Sequence, residues 1–507
     1  HHLDWLVNYD LQVDDHVLRV VAGTSWEQYR YEQVGAENRD FTFDNTKWYD
    51  IAAGAWLKDG LANIWTGQSQ SSLFGFFGRV NYNWRDMLFV SASIRREAST
   101  KFGVNRRWGN FPSASIAWEM MEASFMDSAG EVVKSLKPRF SFGVTGREPG
   151  SSYQSLATYS TKYQYFMDGE WVTGYAPSNN ANPLLSWEKS VSYNIGVDFD
   201  LWNRLRGSVE YYIRQSPDLL YNYTAPQPPY VYNTILVNVG TTTNRGIEVC
   251  LNADVIKKKN FTWNSGVNYS YGRTYLTKLS NDVYQASYLE LYQKPGVGTS
   301  EYFFRVEEGG EVGQFYGYEF AGVDLDGNMY VYDNEGKEQL ISNADPTWKR
   351  YIGNGAPKHT MSWSNSLSFH NFDVSILFTG AFDFDIFNMR KYGMGLQGCG
   401  TDNVLKTAYT TDKMVRTGGG NISSYFLEDG SYFKLDNITA GYNWQWKDKV
   451  VDGLRLYVAA KNIATMTRYS GNDPSIVAVT GITPGVDVSS AYPTATQLCL
   501  GVTLNLH

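Results

Sequence analysis

The sequence predicts an all-β fold, an antiparallel transmembrane β-barrel of which about 15 strands are visible. Three observations predict it. Apolar and polar residues alternate with a period of two over many separate stretches, the pattern of strands with one apolar and one polar face. The connections between these stretches sort into a short class and a long class that take turns along the chain, as periplasmic turns and extracellular loops do. Aromatic residues make up 16%, with 37 Tyr and 16 Trp, against 19% charged residues. That excess suits aromatic girdles at two membrane interfaces.

Strands are predicted near 3–13, 16–30, 71–84, 87–97, 111–121, 136–147, 187–200, 205–216, 241–255, 260–273, 357–370, 372–387, 431–444, 453–464 and 494–506. The stretch Leu73 to Trp118 shows the logic. Gly78, Val80, Tyr82 and Trp84 alternate with Arg79, Asn81 and Asn83; Arg85-Asp86 reads as a two-residue hairpin turn; Leu88, Val90, Ala92 and Ile94 then alternate with Ser91, Ser93 and Arg95. Tyr193, Ile195, Val197 and Phe199 repeat the pattern, and so do Gly207, Val209, Tyr211 and Ile213. The last strand sets Leu498, Leu500, Val502, Leu504 and Leu506 against Gly501, Thr503 and Asn505. The short connections are Asp14-Asp15, Arg85-Asp86, 122–135, 201–204, Lys257 to Asn260, His370-Asn371 and 445–452. The long ones are 31–70, 98–110, 148–186, 217–240, 274–356, 388–430 and 465–493.

Composition narrows the function. Mean hydropathy is below zero and no run of about 18 apolar residues occurs, so a transmembrane helix is excluded, whereas a barrel, half of whose wall residues face water, is not. A net charge of −8 argues against nucleic acid as a partner. Cys250, Cys399 and Cys499 have no metal-like spacing; Cys250 and Cys499 fall in strand patterns, read here as opposite sides of the wall. The six histidines are scattered, and no G-x-S-x-G, H-E-x-x-H, C-x-x-C or G-x-x-x-x-G-K stretch is present, which points away from an enzyme, a metal site or a cofactor.

Three features invite a binding reading. Asp324-Leu-Asp-Gly-Asn328, with Glu335 at the twelfth position, has the count of a calcium loop, but its flanks read as strands, which favours hairpin turns. Arg95, Arg96, Arg106 and Arg107 gather beside Glu97 and Lys101, either as a basic rim or as a salt-bridged loop base. Aromatic long loops are the ligand candidates: Tyr153, Tyr163, Tyr165 and Trp171 in 148–186, and Tyr221, Tyr223, Tyr230 and Tyr232 in 217–240. Such faces stack on sugars and also pack peptides or a partner protein at low entropy cost.

GRVNYNWRDMLFVSASIRREASTKFGVNRRWGNFPSASIAWEM (78–120) resembles the barrel of the SusC/RagA family of TonB-dependent transporters of Bacteroidetes. The resemblance continues through LKPRFSFGVTG, NPLLSWEKSVSYNIGVDF, NVGTTTNRGIEVCL, EDGSYFKLDNITAGYNW, LRLYVAAKNIATMTRYSGNDPSI and YPTATQLCLGVTLNL, in one order from end to end. It implies a multi-pass barrel of 22 strands in the cell outer membrane, with an N-terminal plug and the first strands expected upstream of residue 1, and residues 1–507 as its C-terminal part. It implies import of nutrient oligomers, oligosaccharides or oligopeptides, under a SusD-like surface lipoprotein lid. TonB would energise import through the N-terminal region, with outer-membrane lipid around the wall and possible dimers of SusC–SusD pairs. The alternative is a SusC-like barrel kept as a non-transporting scaffold. Family members commonly end in an aromatic residue, whereas this chain ends Leu506-His507.

Overall fold

The computed structural model describes residues 1–507 apart from 44, 46, 48, 281–284, 296–300, 398–402, 411–414, 417–419, 446–450, 478–480, 489–491, 493 and 507; Cys399 and the core of the 445–452 turn therefore lie outside the described residues. Fifteen strands form one antiparallel wall in plain chain order. They are β1 (His2–Val13), β2 (His16–Glu37), β3 (Asn63–Trp84), β4 (Leu88–Ser99), β5 (Trp108–Trp118), β6 (Val133–Arg147), β7 (Glu188–Leu201), β8 (Leu205–Pro217), β9 (Thr241–Lys258), β10 (Phe261–Lys278), β11 (His359–Phe369), β12 (Phe372–Phe382), β13 (Tyr432–Gln445), β14 (Val451–Thr467) and β15 (Gln497–Leu506). Each corresponds to a predicted strand.

Register explains why the alternation matters. Residues paired directly across an antiparallel ladder project to the same side. Leu11, Leu18, Tyr82, Val90, Ile116, Phe140, Ile195, Tyr211, Ile247 and Tyr271 form one unbroken row of partners from β1 to β10. Trp263, Leu367, Val374, Ala440, Val458 and Leu500 continue an apolar row from β10 to β15. The opposite face carries rows such as Arg19, Asn81, Ser91, Ser115, Ser141 and Asn194. Polar ladders close on that face: Ser93 and Ser113 hydroxyls meet at 2.7 Å, and Arg139 holds Asp198 at 3.2 Å and also Glu210. A wall that is apolar outside and polar inside is what a lipid-embedded barrel requires.

The structure corrects three details. First, Arg85-Asp86-Met87 is a three-residue connection, because Trp84 pairs with Leu88; Arg85 and Asp86 take φ of 54° and 51°. Second, β2 and β3 run on to Glu37 and back to Asn63, although these residues read as loop. The extension is a polar two-stranded ribbon exposed on both sides, so it has no apolar face for a periodicity to reveal. Third, Cys250 and Cys499 share the polar face. Cys499 connects through Ala459, Thr439, Ser375 and Ser366 to Asn264, which lies on the same side of β10 as Asn268, the partner of Cys250. A period of two fixes alternation within one strand but not which face another strand shares with it.

The largest buried cluster is not in the wall. It lies in the long connections, where Phe303, Phe304, Phe315, Met329, Val331, Phe387, Ile422 and Phe426 are fully buried together. Four short strands (Tyr288–Gln293, Tyr302–Glu307, Gln314–Gly317 and Arg350–Asn354) make one sheet of this unit. A second sheet draws two connections together: Asp385–Asn388 pairs antiparallel with Leu427–Asp429 of its own connection and parallel with Val486–Asp487 of the next.

Candidate ligand-binding mouth

The long connections all leave the same ends of the wall strands, so the buried unit and two further hairpins crowd one rim. Phe303 and Phe387 meet edge to face at 4.8 Å, and Phe304 stacks on Phe315 at 4.6 Å. Aromatic pairs of this kind add stability beyond the area they bury. Their effect here is to join the 279–358 and 383–431 connections in one buried body.

Charge pairs pin that body. Glu301 accepts hydrogen bonds from Lys294 and Lys349, both at 2.7 Å. Burial works to raise the Glu301 carboxyl, and the two ammonium groups outweigh it, leaving it below the ordinary carboxylate range. The Tyr318 hydroxyl is pushed up to about 12 by burial, reinforced by Glu301 and Asp345. At the other side of the rim, Lys434 donates to Asp473 at 3.0 Å, and Thr494 and Ser475 hydroxyls donate to the same carboxylate. Burial opposes the Asp473 charge, yet these hydrogen bonds bring its pKa down to about 2. Tyr469 donates to Asp487 at 2.5 Å, and Ser470 donates to Glu428, so the 468–487 segment is tied at several points.

The predicted ligand aromatics fall into two groups. Tyr165 and Trp171 stand exposed on a hairpin of Tyr159–Met167 and Glu170–Pro177, where Phe166 meets Trp171 edge to face at 5.4 Å. Tyr163 lies on the same hairpin, paired through its backbone with Gly174. Tyr153 sits before the hairpin, its hydroxyl accepting from the Gln70 backbone N–H at 2.9 Å. Tyr221, Tyr223 and Tyr230 instead pack on Ala225, Ile235, Val237 and Val239 within their own loop. The Tyr232 hydroxyl donates to the Pro177 carbonyl at 2.7 Å and ties the two loops together. Sequence reading did not single out Tyr175, which is 76% exposed on the same hairpin. The available signal was its alternation with Trp171 and Thr173 along one short strand.

The other two motifs resolve into architecture. Asp324 accepts from the backbone N–H groups of Asp326 and Asn328, and Asp333 from those of Glu335 and Lys337, which makes both segments side-chain-capped turns. Gly327 and Gly336 supply the positive φ, 84° and 78°, that these turns need. The arginine cluster is divided by the pleat. Arg95 points to the polar face and pairs with Glu97, Lys101 binds Glu148 at 2.6 Å, and Arg96 points outward over Trp108.

A profile described as TonB dependent receptor-like, beta-barrel matches residues 2–293. The chain belongs to that family. TonB-dependent receptor P3 of Formosa agariphila is 29% identical over 494 residues, covering 92% of this chain and 48% of the relative. TonB-dependent receptor SusC of Bacteroides thetaiotaomicron is 28% identical over 457 residues, covering 86% and 44%. The chain spans about half the length of the curated relatives it matches. Among solved structures, the RagAB peptide transporter matches with a TM-score of 0.83 at 24% identity, over 99% of this chain and 55% of that one, which establishes a shared fold. The wall is thus part of a TonB-dependent receptor barrel of the outer membrane, from a family of receptors and transporters rather than enzymes.

Proposed function

We propose that this TonB-dependent receptor barrel is the wall and mouth of an energised importer of nutrient oligomers, oligosaccharides or oligopeptides. The observation that carries the reading is family membership together with an end-to-end likeness of fold to a peptide transporter. The backbone supports the rest. β1 and β15 are each paired on one side alone among the described residues, and an unpaired strand edge costs several kcal/mol per group in lipid. Roughly seven further strands between them complete a wall of the size used by plugged transporters. A lumen that wide needs a plug, since its own side chains cannot fill it.

In this reading a SusD-like lipoprotein lids the rigid rim, and the ligand is held between lid and barrel. TonB then acts on the plug from the periplasm, and the ligand passes without a bond being broken. Tyr165, Trp171 and Tyr163 on the projecting hairpin contact ligand or lid. Tyr153, Tyr221, Tyr223, Tyr230 and Tyr232 brace and border that surface.

Mass spectrometry of the complex drawn from the membrane in mild detergent tests the proposal. Plug peptides, a co-purifying lipoprotein and a ladder of bound oligomer support it, and the ladder's mass spacing separates glycan from peptide. A barrel that accumulates no oligomer in cells with active TonB, and equally none without it, leaves the scaffold reading.

A further inference from the structure

We propose that the outer face of the wall carries a binding site for the phosphorylated headgroup of an outer-leaflet glycolipid, built by Arg245 and Arg273. The inference rests on the barrel's place in the outer membrane and is independent of transport. The two arginines are direct partners across β9 and β10, one pleat above the Ile247–Tyr271 pair of the apolar row. Their side chains therefore leave the wall on the lipid side. Like charges set opposite each other weaken a sheet, and a cation on that face is tolerated only near the interface.

Height places them there. Arg273 is twelve residues along β10 from Phe261, beside the short turn. At about 3.3 Å per residue and a tilt of about 40°, it stands about 30 Å above that turn, the thickness of the hydrocarbon layer. Just below, Tyr269 and His359 meet at 2.7 Å and the Tyr271 ring packs against His359 at 5.0 Å, an aromatic girdle.

The charges are only partly satisfied: Arg273 reaches the Tyr275 side chain and Glu311, and Arg245 reaches neither carboxylate nor hydroxyl among the described residues. Arg245 lies over the Tyr275 ring at 5.2 Å and Arg273 over Tyr271 at 5.7 Å. Arg273 Nε is buried with no hydrogen-bond partner. Among the described residues the carboxylate paired with them is Glu311, 3.8 Å from Arg273 Nη1 and beyond hydrogen-bond length, which leaves the group with a net positive charge. Among the described residues Arg245 makes its contact with the Tyr275 ring and no ion pair. A phosphate offers oxygens to both guanidinium forks, and the tyrosine rings offer faces for the sugar that carries it.

The test uses the full-length protein extracted from its own membrane and placed in phosphatidylcholine nanodiscs. The discs are doped with phosphorylated lipid A or with the same lipid after dephosphorylation, and native mass spectrometry reads the lipid retained. The phosphorylated form is retained about tenfold more than the dephosphorylated one; Arg245→Gln/Arg273→Gln abolishes the difference, and Arg96→Gln, on the same outward face but paired with Phe76 and Asn110, preserves it. A double variant that keeps the unaltered protein's preference, or an unaltered protein that retains the two lipids equally, overturns the site. Displacement of the lipid by inorganic phosphate overturns the glycolipid assignment in favour of a free-anion site. Should the double variant fail to assemble, Arg245→Gln alone, at an exposed position, carries the same comparison.

Discussion

The Lys434 ammonium and the Asp473 carboxylate meet at 3.0 Å with 6% and 5% of their side chains exposed, joining the rim end of a wall strand to the 468–496 connection. Breaking one side of a buried pair leaves an uncompensated charge, at a cost of about 3–5 kcal/mol. Asp473→Ala therefore opens the 468–487 segment, read as faster amide exchange there with the wall unchanged. Lys434→Met/Asp473→Leu recovers much of the loss.

The same carboxylate sets an acid limit. Its folded pKa of about 2 lies below the ordinary 3.8, so its contribution is fully present above about pH 4 and is lost as pH falls through about 2. The contribution is about 2 kcal/mol. Peptic cleavage within 468–487 rises over that interval, and Asp473→Asn flattens the dependence.

Phe315 is fully buried between Phe304 and Phe387. Phe315→Ala costs about 3–5 kcal/mol. That loss falls on the rim unit. Protease sensitivity rises across 288–354, while heat-modifiable migration of the barrel on gels is retained.

Trp171 and Tyr165 stand largely exposed, and Trp171 packs edge to face on Phe166 of the same hairpin, so alanine at both costs only about 1 kcal/mol, confined to that hairpin. Ligand or lid affinity, measured by calorimetry on the detergent complex, falls about tenfold or more if they are contact residues. Unchanged affinity removes them from the site.

The two faces of β15 differ by one residue step. Leu500→Arg puts a charge toward lipid and costs about 2–4 kcal/mol, whereas Cys499→Arg faces the lumen and is tolerated. Urea unfolding of the barrel in lipid separates the two.

The wall was legible because each strand repeats one physical demand, apolar toward lipid and polar toward water, and that demand is local. It predicted all fifteen strands and most of the two classes of connection, although 119–132, read as short, is longer than 100–107, read as long. It did not reveal the upper ribbon of β2 and β3, where both faces meet water. Nor did it place Cys250 and Cys499 on one face, since register is a relation between strands.

Of the candidate site, the exposed aromatics at Tyr165 and Trp171 were visible as residue types in a long connection. That Tyr221, Tyr223 and Tyr230 would turn inward on Ile235 and Val237 was not. Packing depends on which connection lies beside which, and the 217–240 loop carries its own apolar strand.

By itself, then, the sequence determined strand number, strand direction and the side from which the long connections leave, because a period of two and a turn signal are written in consecutive residues. The tertiary structure alone decided that Phe303 and Phe315 of one connection close into one core with Phe387 and Phe426 of the next. It alone decided that Lys434 finds Asp473 and that Arg245 stands opposite Arg273. These are contacts between residues far apart in the chain, where no local period constrains them and only chain packing selects the partner.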